Sequence, residues 1–534
     1  AVMSVFNEDI IRGLSPYLTE ACISRMVTTC KWMNELFKKS LISVDLTCKN
    51  SEKFKDYTGL RSMTGRNIFA SGGRPPRENI SRRFPPNLTS LQWCYEEGAE
   101  KFRLPESITD LKIFGDEIKE DAIPYPPNLV RLKTGAVRVW MLKDMKYLET
   151  LECVDVSSYD LPVTLTSLTM MDIKSITVQE WNGLPKGLTS LMICSSRTMS
   201  PTGTHISNLA MVKNLPKGLV KLSMNFRCWA FASDDYFNPE LKYISLGGYN
   251  TRVDARMLPR SLEYFHTGNI IVSNREEIPK SVTSMAFDVD KYTDGDLALQ
   301  FELAKIMPQG LKKLAISVNQ KQFIIDAPFP RELTSLCFNY TRVYLSPNEI
   351  KFFLPLNLTS LTGIRAGIER EASVSDFSHL KSLVKMHGVF GPNIIFPPNL
   401  TDLKCENQTG LPVFPNSLKI LHVYRLEIGD RKKDTCKIAS IPTSVTDLSC
   451  SCIDFGTGSV ETVLSSVKKL GATTINTKRW DGGLYQIAKT FPNLEEIDAN
   501  YTRIDHRLDG NRLVMIDSNG QDSWIGADGE IKYA

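Results

Sequence analysis

The chain has 534 residues, of which 42% are hydrophobic and 23% are charged, and its formal net charge is +4. This composition allows an extensive core, and it excludes a global electrostatic attraction to nucleic acid or to an anionic membrane. Since no run of eighteen apolar residues occurs, we expect no transmembrane helix. The start of the chain lacks the apolar core of a signal peptide, and the twelve cysteines have no framework spacing. We therefore expect reduced thiols and an intracellular protein, in the cytoplasm or nucleus of a eukaryotic cell or in a virus particle assembled there.

Residues 1–40 have the apolar spacing of short α-helices. We expect Thr19 to be the N-cap of the second helix. The residues that line the first two apolar faces are Ile10, Ile11, Leu14 and Leu18, then Ile23, Met26, Val27 and Cys30. The pattern predicts a short N-terminal helical bundle. Because about forty residues bury little surface, such a bundle needs support from the rest of the chain or from a partner.

The same segment resembles an F-box through "NEDIIRGLSPYL" and "CKWMNEL". It departs from the usual F-box pattern at Asn7, where proline is usual, and at Met33, where tryptophan is usual. The resemblance implies docking to the adaptor subunit of a cullin–RING ubiquitin ligase. The apolar positions that it implies for this docking are Ile10, Leu14, Leu18, Ile23, Met26 and Val27.

Residues 41–83 combine a strand-like stretch with a basic stretch. "SLISVDLTCKN" alternates apolar and polar residues and predicts a degenerate first repeat. The stretch that follows contains glycine and proline, so it is either a solvated linker or a docking surface for an acidic partner. Its basic residues are Arg61, Arg66, Arg74, Arg77, Arg82 and Arg83.

Residues 84–500 repeat one phrase about nineteen times. It reads "FPPNLTSLQW" at Phe84–Trp93 and "FPPNLTDLKC" at Phe396–Cys405, and the usual step between copies is 20–23 residues. Proline presets φ near −65° and a short turn follows, after which the apolar residues alternate with polar ones at the period of a half-buried strand. A strand of about five residues cannot bury its apolar face alone, but it can do so against an identical neighbour about 4.8 Å away.

This period and pattern predict a leucine-rich-repeat solenoid of the α/β class, with a curved parallel sheet. The phrase also resembles the FNIP (IP22) type of leucine-rich repeat, which is built around "P-x-S/N-L-T-x-L" and is abundant in social amoebae and in giant viruses of amoebae. The resemblance covers roughly residues 84–500.

Residues 501–534 have a different pattern. The turn dipeptides Asn519-Gly520 and Asp528-Gly529 separate short apolar stretches. They predict an antiparallel β-meander that caps the last repeat, because a solenoid must cover its exposed apolar end.

The outward residue of each repeat, between the two apolar residues of the strand, defines a candidate binding surface on the concave face. We expect protein partners there, since the residues are mixed and no stripe of arginine and aromatic residues indicates nucleic acid. In the copy "FSHLKSLVKM" the phrase assigns the outward position to Val384. The positions that we single out for partner binding are Lys112, Lys133, Thr169, Met192, His266 and His422.

No motif in the chain indicates catalysis, a metal ion or a cofactor. The six histidines lack HExxH spacing. Cys153, Cys405 and Cys450 fall at inward positions, where cysteine acts as a small apolar residue. Cys452 and Asp454 have the Cys-x-Asp spacing of some bacterial leucine-rich-repeat ligases, but they lie inside the repeat pattern, which favours a structural role.

Two functions are therefore open. In the first, the chain is a non-enzymatic binding module that captures a target and couples it to a ubiquitin ligase as the substrate-recognition subunit. In the second, it is a structural or assembly component, for example of a giant-virus particle, and the solenoid is the assembly surface. The departures at Asn7 and Met33 favour the second.

Overall fold

The structure is a computed structural model that describes the parts of the chain in which the repeats fall. The N-terminal helical bundle predicted for residues 1–40 lies outside the described residues. These are residues 43–46, 60–65, 86–94, 104–114, 125–135, 142, 145–154, 161–171, 183–194, 215–225, 237–247, 252–267, 269–271, 278–289, 307–318, 328–339, 343–366, 374–408, 412–428, 436–437, 440–455, 463–476, 487, 489–499, 505–509, 512–516, 522–525 and 531–533.

The chain divides into two compact units, Ala1–Leu262 and Glu263–Ala534. The N-terminal unit contains short strands and a 3₁₀ turn at Ala255–Met257. Its strands are β1 (Ser43–Leu46), β2 (Ser62–Gly65), β3 (Ser90–Cys94), β4 (Asp110–Phe114), β5 (Arg131–Thr134), β6 (Thr150–Cys153), β7 (Ser167–Met171), β8 (Ser190–Cys194), β9 (Lys221–Asn225), β10 (Tyr243–Gly247) and β11 (Arg252–Asp254).

In this unit β1 to β10 form one parallel sheet in chain order. The register is uniform: Leu91 pairs with Leu111, Leu111 with Leu132, and Leu132 with Leu151. Each strand is therefore one rung, and each rung presents the same face as its neighbour. The parallel repeat sheet that the sequence predicts is confirmed.

The C-terminal unit contains longer strands and the α-helix α1 (Pro347–Phe353). Its strands are β12 (Tyr264–Thr267), β13 (Asn269–Ile271), β14 (Ser284–Val289), β15 (Lys313–Val318), β16 (Ser335–Asn339), β17 (Val343–Tyr344), β18 (Ser360–Ala366), β19 (Ser375–Asp376), β20 (Lys385–Phe390), β21 (Ile394–Ile395), β22 (Asp402–Gln408), β23 (Ile420–Ile428), β24 (Cys436–Lys437), β25 (Asp447–Phe455), β26 (Lys469–Asn476), β27 (Glu496–Ala499), β28 (Asp505–Asp509), β29 (Arg512–Ile516), β30 (Asp522–Ile525) and β31 (Ile531–Tyr533).

The main sheet of this unit is again parallel and runs in chain order through β12, β14, β15, β16, β18, β20, β22, β23, β25, β26 and β27. The short strands β17 and β24 add to its β18 and β23. β19 pairs with β21 as a separate two-stranded sheet. The last four strands, β28 to β31, form an antiparallel sheet, and the two turn dipeptides of the sequence fall between β29 and β30 and between β30 and β31.

Every copy of the repeated phrase coincides with a parallel strand. "SLISVDLTCKN" contains β1. β2 lies inside the stretch that the sequence pattern assigned to a basic linker, so the rungs continue through it. The sequence pattern does not predict this rung, because "SMTG" lacks the leucine pair. In the structure, Leu60 before it is fully buried and Met63 pairs with Leu91.

The first two apolar residues of each repeat form the main part of the core of each unit. The first leucine or its substitute is fully buried in nearly every copy, from Leu88 to Val467, and the last, Leu494, is 4% exposed. The second is buried equally well where it is described, for example at Leu336 and Leu403. Burying one such side chain stabilises the fold by about 1.5–3 kcal/mol. The stack thus supplies the apolar contacts that no single repeat could make.

The turn explains why the phrase contains asparagine or serine before the first leucine. In most turns the N–H of the first leucine, or of its substitute, donates to the carbonyl of a proline three residues earlier, as Leu358 does to Pro355 at 3.1 Å. The residue before that leucine bonds to the preceding repeat: Asn357 Nδ2 donates to Arg331 O at 3.3 Å, and Ser417 Oγ donates to Leu400 O at 2.7 Å. These side chains therefore join neighbouring turns, which also accounts for the sequon-like "NLT" triplets.

Two glycines allow neighbouring strands of the C-terminal unit to approach closely. Gly363 has a φ of +78°, and a Cβ atom there would lie 1.7 Å from Phe338 O. The register between β18 and β20 shifts at this point, so that Thr362 pairs with His387 and Ile364 with Gly388. At Gly388 a Cβ atom would lie 2.2 Å from Ile364 O. Only glycine fits both positions, because the obstructing atoms belong to the backbone.

We expect Gly388→Ala to destabilise the C-terminal unit by about 2 kcal/mol or more, because the β18 backbone must move to admit the methyl group. Gly218→Ala is the matched control, since nothing lies within 4 Å of its Cβ position, and it should change stability by no more than about 0.5 kcal/mol. Urea unfolding gives the stability, and hydrogen–deuterium exchange should show faster exchange in β18 and β20. Equal effects of the two substitutions would contradict the packing described here.

Candidate partner-binding face

The polar face of the parallel strands is the candidate functional site. Because neighbouring strands pair without a register slip over most of their length, the outward residues of successive strands fall into rows. Lys112 lies beside Lys133, and Thr169 lies beside Met192. In the C-terminal unit, His266 and His422 occupy the same row position on β12 and β23. All six predicted positions are partly or fully exposed.

In the N-terminal unit the charged outward residues pair with each other across strands. Arg131 Nη2 lies 3.0 Å from Asp110 Oδ2, and the ammonium of Lys133 contacts the carboxylate of Glu152 on the next strand. Lys112 is exposed on β4 beside Lys133. Because these pairs are partly exposed, each contributes little to stability, and they leave this stretch of the face nearly neutral.

The outward position on β20 is His387, and the assignment to Val384 is wrong. His387 pairs with Thr362 on one side and with Lys404 on the other. The repeat contains two successive turns, in which Leu380 N donates to Phe377 O at 3.0 Å and Leu383 N donates to Leu380 O at 3.1 Å. The phrase can be aligned on either leucine, and the second turn moves the strand three residues along the chain.

With His387 at the outward position of β20, basic side chains lie in one row on three adjacent strands. We call His387, Lys404 and His422 the basic row. Lys404 pairs in register with His387 on β20 and with His422 on β23, and all three side chains are half-buried. The row continues to Ser449 and Gly471. Adjacent members are therefore about 4.8 Å apart along the sheet.

Both histidines of the basic row have a hydrogen-bond partner on the following strand. His387 Nε2 lies 2.8 Å from Glu406 Oε1, and His422 Nδ1 lies 2.7 Å from Ser449 Oγ. Burial lowers the pKa of His422 most, and the nearby charge of Lys404 lowers it further, with His387 acting in the same direction and Glu406 against it. His422 is therefore predominantly neutral at pH 7, and its protonation depends on the charge beside it.

Aromatic and aliphatic side chains adjoin the basic row. Ile420 precedes the buried Leu421 on β23 and is 44% exposed, and Tyr424 follows the buried Val423 and is 51% exposed. An exposed tyrosine beside paired and unpaired charges is a composition typical of protein interfaces. The face around β20 to β25 thus combines charge, hydrogen-bonding groups and apolar area.

A shallow groove in the N-terminal unit is a weaker candidate. Its volume is about 510 Å³ and it lies among the turns rather than on the strand face. Several of its groups already bond to neighbouring repeats, as Asn128 Nδ2 does to Glu106 O at 3.1 Å. The lining residues are Asn128, Val130, Lys146, Tyr147, Glu149, Thr164 and Thr166.

Of the other residues that the sequence singles out, some lie within the described ranges of the structure and some lie outside them. Arg61 precedes β2, and its carbonyl accepts hydrogen bonds from Thr89 N and Ser90 N at 2.9 Å, so it belongs to a rung. The remaining arginines of the basic stretch, namely Arg66, Arg74, Arg77, Arg82 and Arg83, lie outside the described residues. So do the positions that the F-box resemblance implies, namely Ile10, Leu14, Leu18, Ile23, Met26 and Val27.

The inward cysteines belong to the core. Cys153, Cys405 and Cys450 are buried, as their inward positions predict, and Cys452 is half-buried on β25. Within the described ranges, no group of three metal-ligating side chains comes together. In that same part of the chain, no helix is long and apolar enough to cross a membrane.

The sequence matches no family model and no curated protein. Among solved structures, it is similar to the crystal structure of CroV588, a giant-virus protein described as a novel circular leucine-rich-repeat protein. The two share 19% sequence identity, and the match covers 86% of this chain and 76% of CroV588 with a TM-score of 0.42. The leucine-rich-repeat pattern of this chain is seen directly in its registered strands and its buried leucine pairs.

Proposed function

We propose that the chain is a non-enzymatic protein-binding module whose outward strand face holds its partner. The observation that carries this proposal is the registered stacking of the strands, which presents one row of side chains after another on a single face. Repeat scaffolds with a large one-sided surface of this kind generally bind proteins. From Thr362 to Gly471 alone, the row extends about 24 Å, five strand spacings of about 4.8 Å.

The chemistry of the face supports binding rather than catalysis. Its charged groups pair mainly with each other, as in Lys385 Nζ with Asp402 Oδ2 at 3.1 Å. Cys405 and Cys450, the cysteines nearest the basic row in the sheet, are buried in the core, where a thiol is a poor nucleophile. The most exposed apolar residues of the face, Ile420 and Tyr424, are suited to a protein contact.

We expect Ile420→Asp and Tyr424→Asp to weaken binding of the protein that co-purifies with the native chain by about ten-fold or more, because each buries a charge in the interface. Val413→Asp is the matched control: Val413 is 85% exposed in the same repeat but lies before the turn rather than on the strand face. Affinity of the purified pair can be measured by biolayer interferometry, with unfolding midpoints as a check on folding. Full binding by both face variants would refute the proposal.

For the wider role, we propose a substrate-recognition subunit of a cullin–RING ubiquitin ligase. The support is the F-box resemblance of residues 1–40, followed by repeats that resemble the FNIP type. In this role the chain brings its target close to a ligase, and the ligase performs the chemistry. The second candidate is a structural or assembly component, for example of a giant-virus particle. The departures of Asn7 and Met33 from the F-box pattern favour it.

Co-purification with the ligase adaptor distinguishes these two roles. We expect the full chain to retain the adaptor, and Leu14→Asp and Ile23→Asp to abolish retention, because each introduces a charge at an apolar docking position. The matched control is Ile420→Asp, which should retain the adaptor because Ile420 lies on the strand face of the C-terminal unit. A wild-type chain that retains no adaptor would end the ligase interpretation and leave the assembly role.

A further inference from the structure

Lys404 lies in the middle of the basic row, between Asp402 and Glu406 on its own strand. Its neighbours are engaged: Lys385 with Asp402 at 3.1 Å, His387 with Glu406 at 2.8 Å, and His422 with Ser449 at 2.7 Å. The ammonium of Lys404 forms no hydrogen bond or ion pair with any residue in the part of the chain that the structure describes. A lysine ammonium without a partner in the protein can pair with an anion that approaches the outer face.

The carboxylates nearest Lys404 on its own strand already have partners. On β22 itself, Asp402 and Glu406 are both engaged with β20. On β23 the flanking residues are Ile420 and Tyr424, which are uncharged. The remaining charged groups of the adjacent strands are Arg365 on β18, Arg425 and Glu427 on β23, Lys437 on β24, Asp447 and Asp454 on β25, and Lys469 on β26. Asp447 accepts a hydrogen bond from Thr446 Oγ1 at 2.8 Å.

We propose that the basic row of His387, Lys404 and His422 is the binding site for an acidic segment of the partner protein. One partner carboxylate lies beside the Lys404 ammonium, which donates a hydrogen bond to it, and between the two imidazoles. Ile420 and Tyr424 contact the apolar parts of the same segment. This inference rests on the proposed function and adds the chemistry of the partner and the strands that hold it.

Binding of a carboxylate at Lys404 has a consequence for pH. In the free protein, burial and then the charge of Lys404 lower the pKa of His422. A bound carboxylate offsets that charge, so the pKa of His422 is higher in the complex than in the free protein. The complex therefore binds protons more tightly, and by linkage the affinity for the acidic segment rises as pH falls from 8 to 6. Glutamate side chains remain ionised over this range, so the change reports the protein.

A capped hexaglutamate peptide is the probe, and histidine ¹³Cε1 NMR is the first measurement. The chain has six histidines, so the spectrum has six signals, which His387→Gln and His422→Gln assign. We expect the peptide to move the signals of His387 and His422 and to leave those of His266 and His379 in place. If the peptide leaves the signals of His387 and His422 unmoved, the proposal is overturned.

The affinity of the same peptide, measured by fluorescence anisotropy, gives the second measurement. We expect Lys404→Gln to raise the Kd about five-fold or more, and the wild-type Kd to be about three-fold or more lower at pH 6 than at pH 8. Lys112→Gln is the matched control, because Lys112 holds the same row position on β4 without flanking histidines, and it should leave the Kd within about two-fold. A Kd that is insensitive to Lys404→Gln, or one that does not fall at pH 6, would overturn the proposal.

The two proposals fail in distinguishable ways. If Ile420→Asp and Tyr424→Asp abolish capture of the co-purifying protein while Lys404→Gln leaves its affinity unchanged, the face binds protein but the acidic-segment proposal is wrong. If the two face variants leave capture intact, the proposed function itself is wrong. If the two face variants abolish capture, and Lys404→Gln weakens the complex with the co-purifying protein more strongly at pH 6 than at pH 8, both the proposed function and the acidic-segment proposal are supported.

Discussion

The whole structure depends on the fact that a strand of about five residues has one apolar face and no means of burying it alone. Each repeat solves this by placing its leucine pair against that of the next repeat, and the first leucine is fully buried from Leu88 to Val467. Since a slip of one residue would turn every leucine toward solvent, the same constraint fixes the register. The bonds that Asn357 and Ser417 form to the preceding turns strengthen that register at the end of each rung.

The fixed register also determines what the outer face can do. Residues far apart in sequence become neighbours in a row, as His387, Lys404 and His422 do on β20, β22 and β23. Their chemistry is collective, because Lys404 contributes to lowering the pKa of His422 and Glu406 opposes it. In a stack of this kind, a change of one outward residue leaves the core untouched. The face can therefore carry a binding site whose composition differs from strand to strand.

The sequence was sufficient to predict the parallel repeat sheet, because the leucine pair, the proline and the turn residue are local signals repeated in every copy. It was also sufficient for the outward positions of Lys112, Lys133, Thr169, Met192, His266 and His422. The sequence did not predict the strand position correctly where the leucine pair is missing or where two leucines fit the phrase. β2 has no leucine pair, and the repeat of β20 has two leucines, Leu380 and Leu383, that fit the phrase equally well. The second turn in the β20 repeat and the close contact at Gly388 do not change the periodic pattern of apolar residues. The basic row could therefore be identified only from the structure.

The central claim is the register of the parallel rungs, and thiol cross-linking tests it most directly. Cys337 on β16 is a free thiol at an outward position, and it pairs with Thr362 on β18. With a short thiol-specific cross-linker, we predict that the thiol introduced by Thr362→Cys becomes linked to Cys337, because the two Cα atoms are about 4.8 Å apart. The thiol introduced by Ser449→Cys, five strands along the same row, should not link to Cys337. Mass spectrometry of the digested protein gives the answer, and a link from position 449 to Cys337, or the absence of one from position 362, would contradict the stacked register.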